Sequence, residues 1–449
     1  MATTATTAIW KSVEVAEIAA NVKHALAMGP FGSRITKDNF IPFGVPVIRG
    51  TNIAGDRFSH DDLVYISEEK ADELRASNAY PDDLVFTHRG TLGQVGLIPR
   101  GQFSRYVVSQ SQMKLTCDES KVLPAFLYYY FRSEFGQHEL LSHAGGSGVP
   151  AISSPLTTLK SAQVRFPPLP IQRKIAAILS AYDDLIENNT RRIALLEDLA
   201  RTLYREWFVH FRFPGHAAYE MTDSPFGPIP SGWQMATYAD LLDLTLGGDW
   251  GSGDPTAEDT RPVTVIRGTD FDDIRLGNHS RAPVRFISER SLKARTLRPG
   301  DLIVENSVNA NSRTIGKSLL ITSGILRRLG GDVICASFCK LFRPKEPQMG
   351  PLMHLHLKYL HDEGRMAFYQ NVATNGIGNF QATRFVQSEY LALPNDKSLR
   401  ALAMSTFSDL TSSNLADTCD TLRRTRDLLL PKLISGELDV EHIAIEIGD

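Results

Sequence analysis

Two phrases recur in this sequence at one common offset. Val47-Ile48-Arg49-Gly50-Thr51 returns as Val265-Ile266-Arg267-Gly268-Thr269, and Pro81-Asp82-Asp83-Leu84-Val85 returns as Pro299-Gly300-Asp301-Leu302-Ile303. Motifs that keep register over so long an interval mark the duplication of a whole domain, because solenoid units return every ~20–50 residues. The frame also holds at the start of each copy, where Trp10-Lys11 answers Gly232-Trp233-Gln234 after a slightly longer offset. Loop insertions account for that slip. The chain must therefore build one domain twice.

Each copy ends in a long helical pattern. The expected layout is a first domain over 1–166, a long helix over 167–210, a linker over 211–235, a second domain over 236–394, and a second long helix with a C-terminal tail over 395–449. Inside the copies, apolar runs bounded by Gly, Pro and Asp, such as Phe43 to Ile48 and Leu84 to Phe86, predict strands. Leu123 to Leu141 predicts a helix with Phe126, Leu127, Tyr130, Phe131 and Phe135 on one face. Gly145-Gly146-Ser147-Gly148 and its counterpart Asn375-Gly376-Ile377-Gly378-Asn379 predict surface loops.

Pro167-Pro168-Leu169-Pro170 halts the first copy and sets the entry of a helix from about Ile171 to Phe208. Ile171, Ile175, Ile178, Tyr182, Leu185, Asn189, Ile193, Leu196, Ala200, Leu203 and Trp207 step by three or four, as the seam of a coiled coil does. Such a helix is roughly 55 Å long. Asn189 is the kind of polar seam residue that fixes register at a cost in stability. The second helix runs from about Leu399 to Leu430, with Leu399, Leu402, Thr406, Leu410, Asn414, Asp417, Thr421, Leu428 and Leu429 near one stripe. Pro431 is expected to end or bend it. The fold class that follows is α+β: two similar mixed α/β domains separated by two long antiparallel helices forming a coiled coil, with a pseudo-two-fold internal repeat.

Charge narrows the partners. The 48 Lys and Arg residues nearly cancel 51 Asp and Glu, for a net −3, whereas a domain that grips a polyanion by its own phosphate contacts is usually basic. Duplex binding is expected to draw on a partner's charge. The local clusters, Arg281, Arg285, Arg290, Lys293, Arg295 and Arg298, and then Arg423, Arg424 and Arg426, are expected as solvated surface charge. Cys117, Cys335, Cys339 and Cys419 lack zinc-ligand spacing, and the N-terminus has no charged region followed by an apolar core, so a reduced cytoplasmic setting is expected. No apolar run approaches the roughly 18–20 residues of a membrane span.

Several catalytic patterns fall short. Gly316-Lys317-Ser318 ends like a phosphate-binding loop, but Asn311 occupies the position of its first glycine. His138 and His143 are five residues apart, and on a helix that turns the second away from the ligand face. Cys335 and Cys339 sit in an apolar run that predicts buried thiols. Neither a glycine-rich turn between strand and helix nor an acid or amide followed by Pro-Pro and an aromatic is present for methyl transfer. Gly29-Pro30-Phe31-Gly32-Ser33 has no strand-like segment before it and predicts a loop. No grouping of serine, histidine and acid stands out.

Other residues point to a family. The run Pro167 to Leu179 (PPLPIQRKIAAIL), then Asp183 to Asn189 (DDLIENN) and Trp207-Phe208-Val209, closely resembles the central conserved region of type I restriction-modification specificity (S) subunits. Leu429 to Leu438 (LLPKLISGEL) is similar to that family's distal conserved region, and Gly29 to Ser33 and Val47 to Ile53 to phrases of its recognition domains. Ile171, His210 and Pro394 to Lys397 depart from the family's usual residues. The resemblance implies two target-recognition domains, each reading one half of a split double-stranded DNA target. It also implies that the helices set the spacing and dock two methyltransferase (M) subunits. The family methylates adenine N6 with S-adenosylmethionine on the methyltransferase partner, and cleaves through a restriction/translocase (R) partner that uses ATP and Mg. This chain would carry no catalytic residue, no metal and no membrane association.

Base edges are read by bidentate Arg, Asn and Gln, so polar residues on the glycine-rich loops are the candidates. In the first domain these are Arg49, Thr51, Asn52, Arg89, Thr91, Gln94 and Ser147. In the second they are Arg267, Thr269, Asn306, Asn309, Asn311, Arg313, Asn375 and Asn379. Arg49 and Arg267 occur in both copies, which suits scaffold or phosphate contacts better than discrimination between bases. The rival readings are a self-contained DNA methyltransferase, which would methylate DNA alone, and a non-DNA two-domain adaptor, which would show no salt-sensitive DNA binding.

Overall fold

The computed structural model describes residues 10–145, 148–225, 227–278, 281–308, 315–372, 378–411 and 414–444. They form two compact units. One takes the residues up to Glu187 together with those from Arg423 onward, and the other runs from Asn188 to Leu422.

In the first unit an antiparallel sheet has the order Leu26–Met28, Gln112–Leu115, Leu84–Thr87, Val95–Leu97. A second sheet has the order Val64–Ile66, Val45–Ile48, Tyr106–Val108, Asn78–Ala79, and its two middle strands are parallel. Val45–Ile48 and Leu84–Thr87 are buried along their whole length, which is why they are continuous apolar runs without alternation. Lys11–Glu14 pairs with Gln163–Phe166 and joins the two ends of the domain.

The second unit repeats this plan. Leu242–Gly247, Cys339–Pro344, Leu302–Glu305 and Ser318–Leu320 form one sheet, and Val284–Ile287, Arg261–Ile266 and Val333–Cys335 the other. Arg261–Ile266 and Val333–Cys335 are again parallel, and Trp233–Thr237 pairs with Tyr390–Pro394 as the closing ribbon. The fold is α+β with an internal repeat. The segment expected as a linker contributes Phe213, Ile229 and Trp233 to the core of this unit.

The predicted helix over 123–141 is two helices, Pro124–Arg132 and Glu134–Leu141. Ser133 adopts extended backbone between them and caps the second. Gly136 allows the tight crossing, since a Cβ there would lie 2.3 Å from the Tyr130 carbonyl oxygen. The break rotates Phe135 off the buried face, and it is exposed.

The first long helix spans Leu169–Tyr204 and widens into one π turn over Arg205–Val209. Its buried face in the first unit is Ile171, Ile175, Leu179, Asp183 and Ile186; in the second it is Asn189, Ile193, Ala200, Tyr204 and Trp207. The expected seam is corrected between these stretches. Ile178, Tyr182, Leu196 and Leu203 are only half-buried, and Leu185 is exposed. The cause is Asp183. Its carboxylate is buried against Arg426 and turns the inner face by one residue, about 100°.

The second long helix is interrupted: Lys397–Thr411 is followed by Leu415–Ser435. Ala403 and Phe407 face the core, Leu410 is half-buried, and the expected seam residues Leu402 and Leu428 are exposed. Arg423 and Arg426, expected at the surface, are buried instead. Pro431 does not end the helix, which continues to Ser435. Leu433 and Ile434, both fully buried, offset the backbone hydrogen bond that proline cannot make. In the first unit Asp183 meets Arg426, while Ile171 and Ile175, two to three turns earlier, share a core with Leu433 and Ile434. The two helical segments there are antiparallel.

Candidate nucleic-acid interface

The duplicated phrase forms the same turn twice. A strand ends in an extended arginine, and a single 3-10 turn follows, Gly50–Ile53 in the first unit and Gly268–Asp270 in the second. The third residue of each turn caps it: Asn52 Oδ1 accepts from the Arg49 amide at 2.9 Å, and Asp270 Oδ2 from the Arg267 amide at 2.9 Å. Asn52 is 1% exposed and spends its amide donors on the carbonyls of Ser59 (3.2 Å) and Asp61 (3.0 Å). The guanidinium of Arg49 donates to the Asp62 carbonyl. That of Arg267 donates to both Asp270 oxygens (3.0 and 2.8 Å) and to the Arg281 carbonyl (3.0 Å). Arg49, Asn52 and Arg267 therefore hold loops. Thr51 and Thr269 stand exposed at the turn tips.

The turn glycines abut side chains at strand ends, Gln94 just before Val95–Leu97 and Glu305 at the end of Leu302–Glu305. A Cβ on Gly50 would come within 2.9 Å of Gln94 Oε1, and one on Gly268 within 2.7 Å of Glu305 Oε1. Thr87 Oγ1 donates to Gln94 (2.8 Å) and accepts from Gln112 Nε2 (3.2 Å). Arg89 bridges to Ala151, next to the short hairpin of Ala144–Gly145 and Ala151–Ile152, while its side chain and Thr91 remain exposed. His88 is bonded to the Gln110 carbonyl at 3.1 Å, and burial holds its pKa below the ordinary histidine value. In the second unit Ser307–Val308 pairs with Gly378–Phe380, which pairs in turn with Gln370–Val372. That sheet joins Asn306 and Asn379, with Ser307 Oγ donating to Asn379 Oδ1 at 2.9 Å. Asn306 Oδ1 is buried without a hydrogen-bond partner among the described residues. Ser147, Asn309, Asn311, Arg313 and Asn375 lie outside the described residues.

Two polar concavities result. One of about 410 Å³ in the first unit is lined by Thr36, Lys37, Phe40, Arg49, Gly50 and the run Ser109 to Gln112. One of about 640 Å³ in the second unit is lined by Asn306, Lys340, Phe380, Gln381, Thr383, Arg384, Gln387 and Ser388. Sequence reasoning missed Lys37, Gln110, Lys340, Arg384 and the neighbouring Glu305, because it searched glycine-rich loops and these residues sit at strand and helix ends. The phrase Ser109-Gln110-Ser111-Gln112, between two apolar runs, was the available signal. Burial raises the carboxyl pKa of Glu305, partly opposed by Lys317.

Contrary to expectation, Gly29 to Ser33 follows a strand, Leu26–Met28, but it leads into a single 3-10 turn, Gly32–Arg34, rather than a helix. Ser318 opens a strand rather than a helix, and His143 lies beyond the helix that carries His138. Cys335 and Cys339 are buried, and burial pushes the Cys335 thiol up to about 12. No helix among the described residues is long and apolar enough to cross a membrane.

Comparison with known proteins agrees with this layout. The family described as "Type I restriction modification DNA specificity domain" matches residues 31–198. The type I restriction enzyme MjaIX specificity subunit of Methanocaldococcus jannaschii is 22% identical over 408 residues, 85% of this chain and 85% of its own length. The type I restriction enzyme HindI specificity subunit of Haemophilus influenzae is 24% identical over 204 residues, 45% of this chain and 41% of its own. The crystal structure of a type I restriction-modification S subunit from M. genitalium shares the fold, with a TM-score of 0.52 at 16% identity over 96% of this chain and 98% of that one. Residues 31–198 thus match the type I restriction modification DNA specificity domain, and over most of its length the chain is similar to type I restriction enzyme specificity subunits.

Proposed function

We infer that this chain is the DNA sequence-specificity subunit of a type I restriction-modification complex, and that each recognition domain reads one half of a bipartite target. One observation carries this reading: the same turn and sheets occur twice, but the polar surfaces beside them differ. Arg49 and Arg267 hold equivalent loops. Beside Arg49 one domain presents Lys37 and Gln110, and the other domain presents Asn306, Lys340 and Arg384 in a concavity of its own. A repeated frame with different chemistry suits two half-sites of different sequence. Gln and Asn suit adenine edges, Arg and Lys suit guanine, and Glu305 could accept from cytosine N4. Thr51, Arg89, Thr91, Thr269 and Asn379 are exposed and would contribute, whereas Asn52 is buried and would not.

The helices would set the distance between half-sites, which recur on one side of a duplex every ~34–36 Å. They would also dock two methyltransferase subunits. Exposed leucines support docking: Leu185 and Leu428 in the first unit, Leu195, Leu199 and Leu402 in the second. S-adenosylmethionine chemistry would belong to those partners, and ATP with Mg to a restriction subunit where one assembles. This chain selects and positions. Its net charge of −3 means that the assembled complex, rather than the isolated chain, supplies most phosphate contacts.

The test is genome-wide mapping of methylated adenines in cells with and without the gene. A split motif that disappears on deletion supports the reading. An unchanged methylation pattern, or methyl transfer by the purified chain alone, overturns it.

A further inference from the structure

Each copy sends one arginine, from the segment after its Arg-Gly-Thr turn, to an acid on the first long helix. In the first unit Arg57 donates Nη2 to the Ser180 carbonyl at 3.1 Å and to Asp184. In the second, Arg275 donates Nη1 to both oxygens of Glu197, at 2.7 and 2.8 Å. Arg57 and Arg275 keep the offset that relates Arg49 to Arg267, so they occupy one position of the duplicated domain. Asp184 and Glu197 are instead successive sites on a single helix. The link occurs twice although its two acceptors are not products of the duplication.

The segments that carry these arginines are closed on the reading surface. Asn52 and Arg49 bind the carbonyls of Ser59, Asp61 and Asp62, which makes 49–62 one tied loop with Arg57 inside it. Gly50 at the base of that loop abuts Gln94 and Gln112, and Gly268 abuts Glu305. In the first unit the neighbouring Asp56 adds a second anchor. Its carbonyl accepts from Tyr128 (2.6 Å) and Arg132 (2.9 Å), and its carboxylate from Arg423 and Arg426 (both 2.8 Å).

Exposure separates geometry from stability here. The Arg57–Asp184 side chains are 32% and 67% exposed, and a pair so open to solvent contributes little to folding. The Arg275–Glu197 side chains are 29% and 22% exposed, so what the two links share is their place in the copy, and a link at the same place in both copies is suited to fixing direction. We propose that Arg57 and Arg275 are positioning residues for half-site recognition: each sets the orientation of its own domain's reading surface on the stretch of long helix within its unit, without touching DNA. This rests on the specificity reading above.

The experiment maps methylated adenines in cells expressing the full complex with wild-type chain, Arg57→Glu, Arg275→Glu, and the charge swaps Arg57→Glu/Asp184→Arg and Arg275→Glu/Glu197→Arg. Each reversal relaxes one half of the motif only, and the two relax different halves. Methylation at sites with one mismatch in the affected half rises about tenfold relative to full-match sites, the scale of one base pair's discrimination. Each swap restores the strict motif. Unchanged motifs in the reversal variants, or equal relaxation of both halves by either one, overturn the proposal. Where a reversal lowers the amount of folded subunit, Arg57→Gln and Arg275→Gln give the same two outcomes. A wild-type map without a split motif overturns the specificity reading itself, before any variant is compared.

Discussion

In the first unit the long helix is fixed by charge. Asp183 is fully buried, accepts from Tyr129 at 2.6 Å and pairs with Arg426, which also reaches Asp56 at 2.8 Å. In the second unit the same helix is fixed by rings. Tyr204 stacks on Phe208 at 5.5 Å, and both lie beside Phe407 together with Trp207. Ring packing gains free energy from burial and from offset or edge-to-face contacts. A buried ion network gains little net stability after desolvation, but breaking it by removing one partner is costly because a charge is left unpaired. The contrast is one between attachment by charge and attachment by packing.

The largest expected break is Arg426→Ala. It strands Asp183 in the core and should destabilise the first unit by about 3–5 kcal/mol. Hydrogen exchange should then accelerate across Ile175–Glu187 and leave the second unit's peptides unchanged. Phe407→Ala is the matching test on the other side, at about 3 kcal/mol, with faster exchange confined to Ala200–Val209 and its neighbours. Equal effects of both changes on both regions would erase the contrast.

Acid should sharpen it. Burial lowers the pKa of His354 from 6.5 to about 3, assisted by Lys358 and Arg275. The unfolded chain takes up that proton first, so this contribution to the second unit is present above pH 6.5 and is lost as pH falls toward 3. It amounts to on the order of 2 kcal/mol by pH 5. Asp56 behaves differently. Burial raises its pKa, but Arg426, Arg423 and Arg132 outweigh that and hold it well below 3.8, so its contribution to the first unit is lost only under stronger acid. His354→Gln should flatten the pH dependence of melting between pH 6.5 and 5, and Asp56→Asn should change it only below about pH 4. The smallest expected effect belongs to the turn caps: Asn52→Ala and Asp270→Ala should each cost about 1–2 kcal/mol by chemical denaturation, with the larger loss at Asn52, which also holds two carbonyls.

Much of this architecture was legible in the chain. The two Val-Ile-Arg-Gly-Thr phrases located equivalent strands and turns because a turn with a buried cap and a glycine facing a neighbouring side chain leaves few sequence choices. Their repetition also marked Arg49 and Arg267 as scaffold. The helix face was misassigned at Leu185, Leu402 and Leu428 because apolar periodicity cannot anticipate a charge turned inward, and Asp183 and Arg426 are such charges. Pro431 misled for a related reason: Leu433 and Ile434 pack well enough to carry the helix past it. Asn52 looked like a base reader because free amides and loop-tying amides have one composition; only its burial separates them. Gln110 and Lys340 were missed because tertiary pairing, not local sequence, brings strand ends to the concave surfaces.

The most direct measurement of the central claim is a domain exchange. Residues 233–394, which keep the ribbon of Trp233–Thr237 and Tyr390–Pro394 whole, would be replaced by the second recognition domain of another specificity subunit, and methylated adenines mapped in cells carrying the chimera. Two independent readers predict a motif whose one half is unchanged and whose other half takes the donor's sequence. A motif altered in both halves, or in neither, would contradict the account.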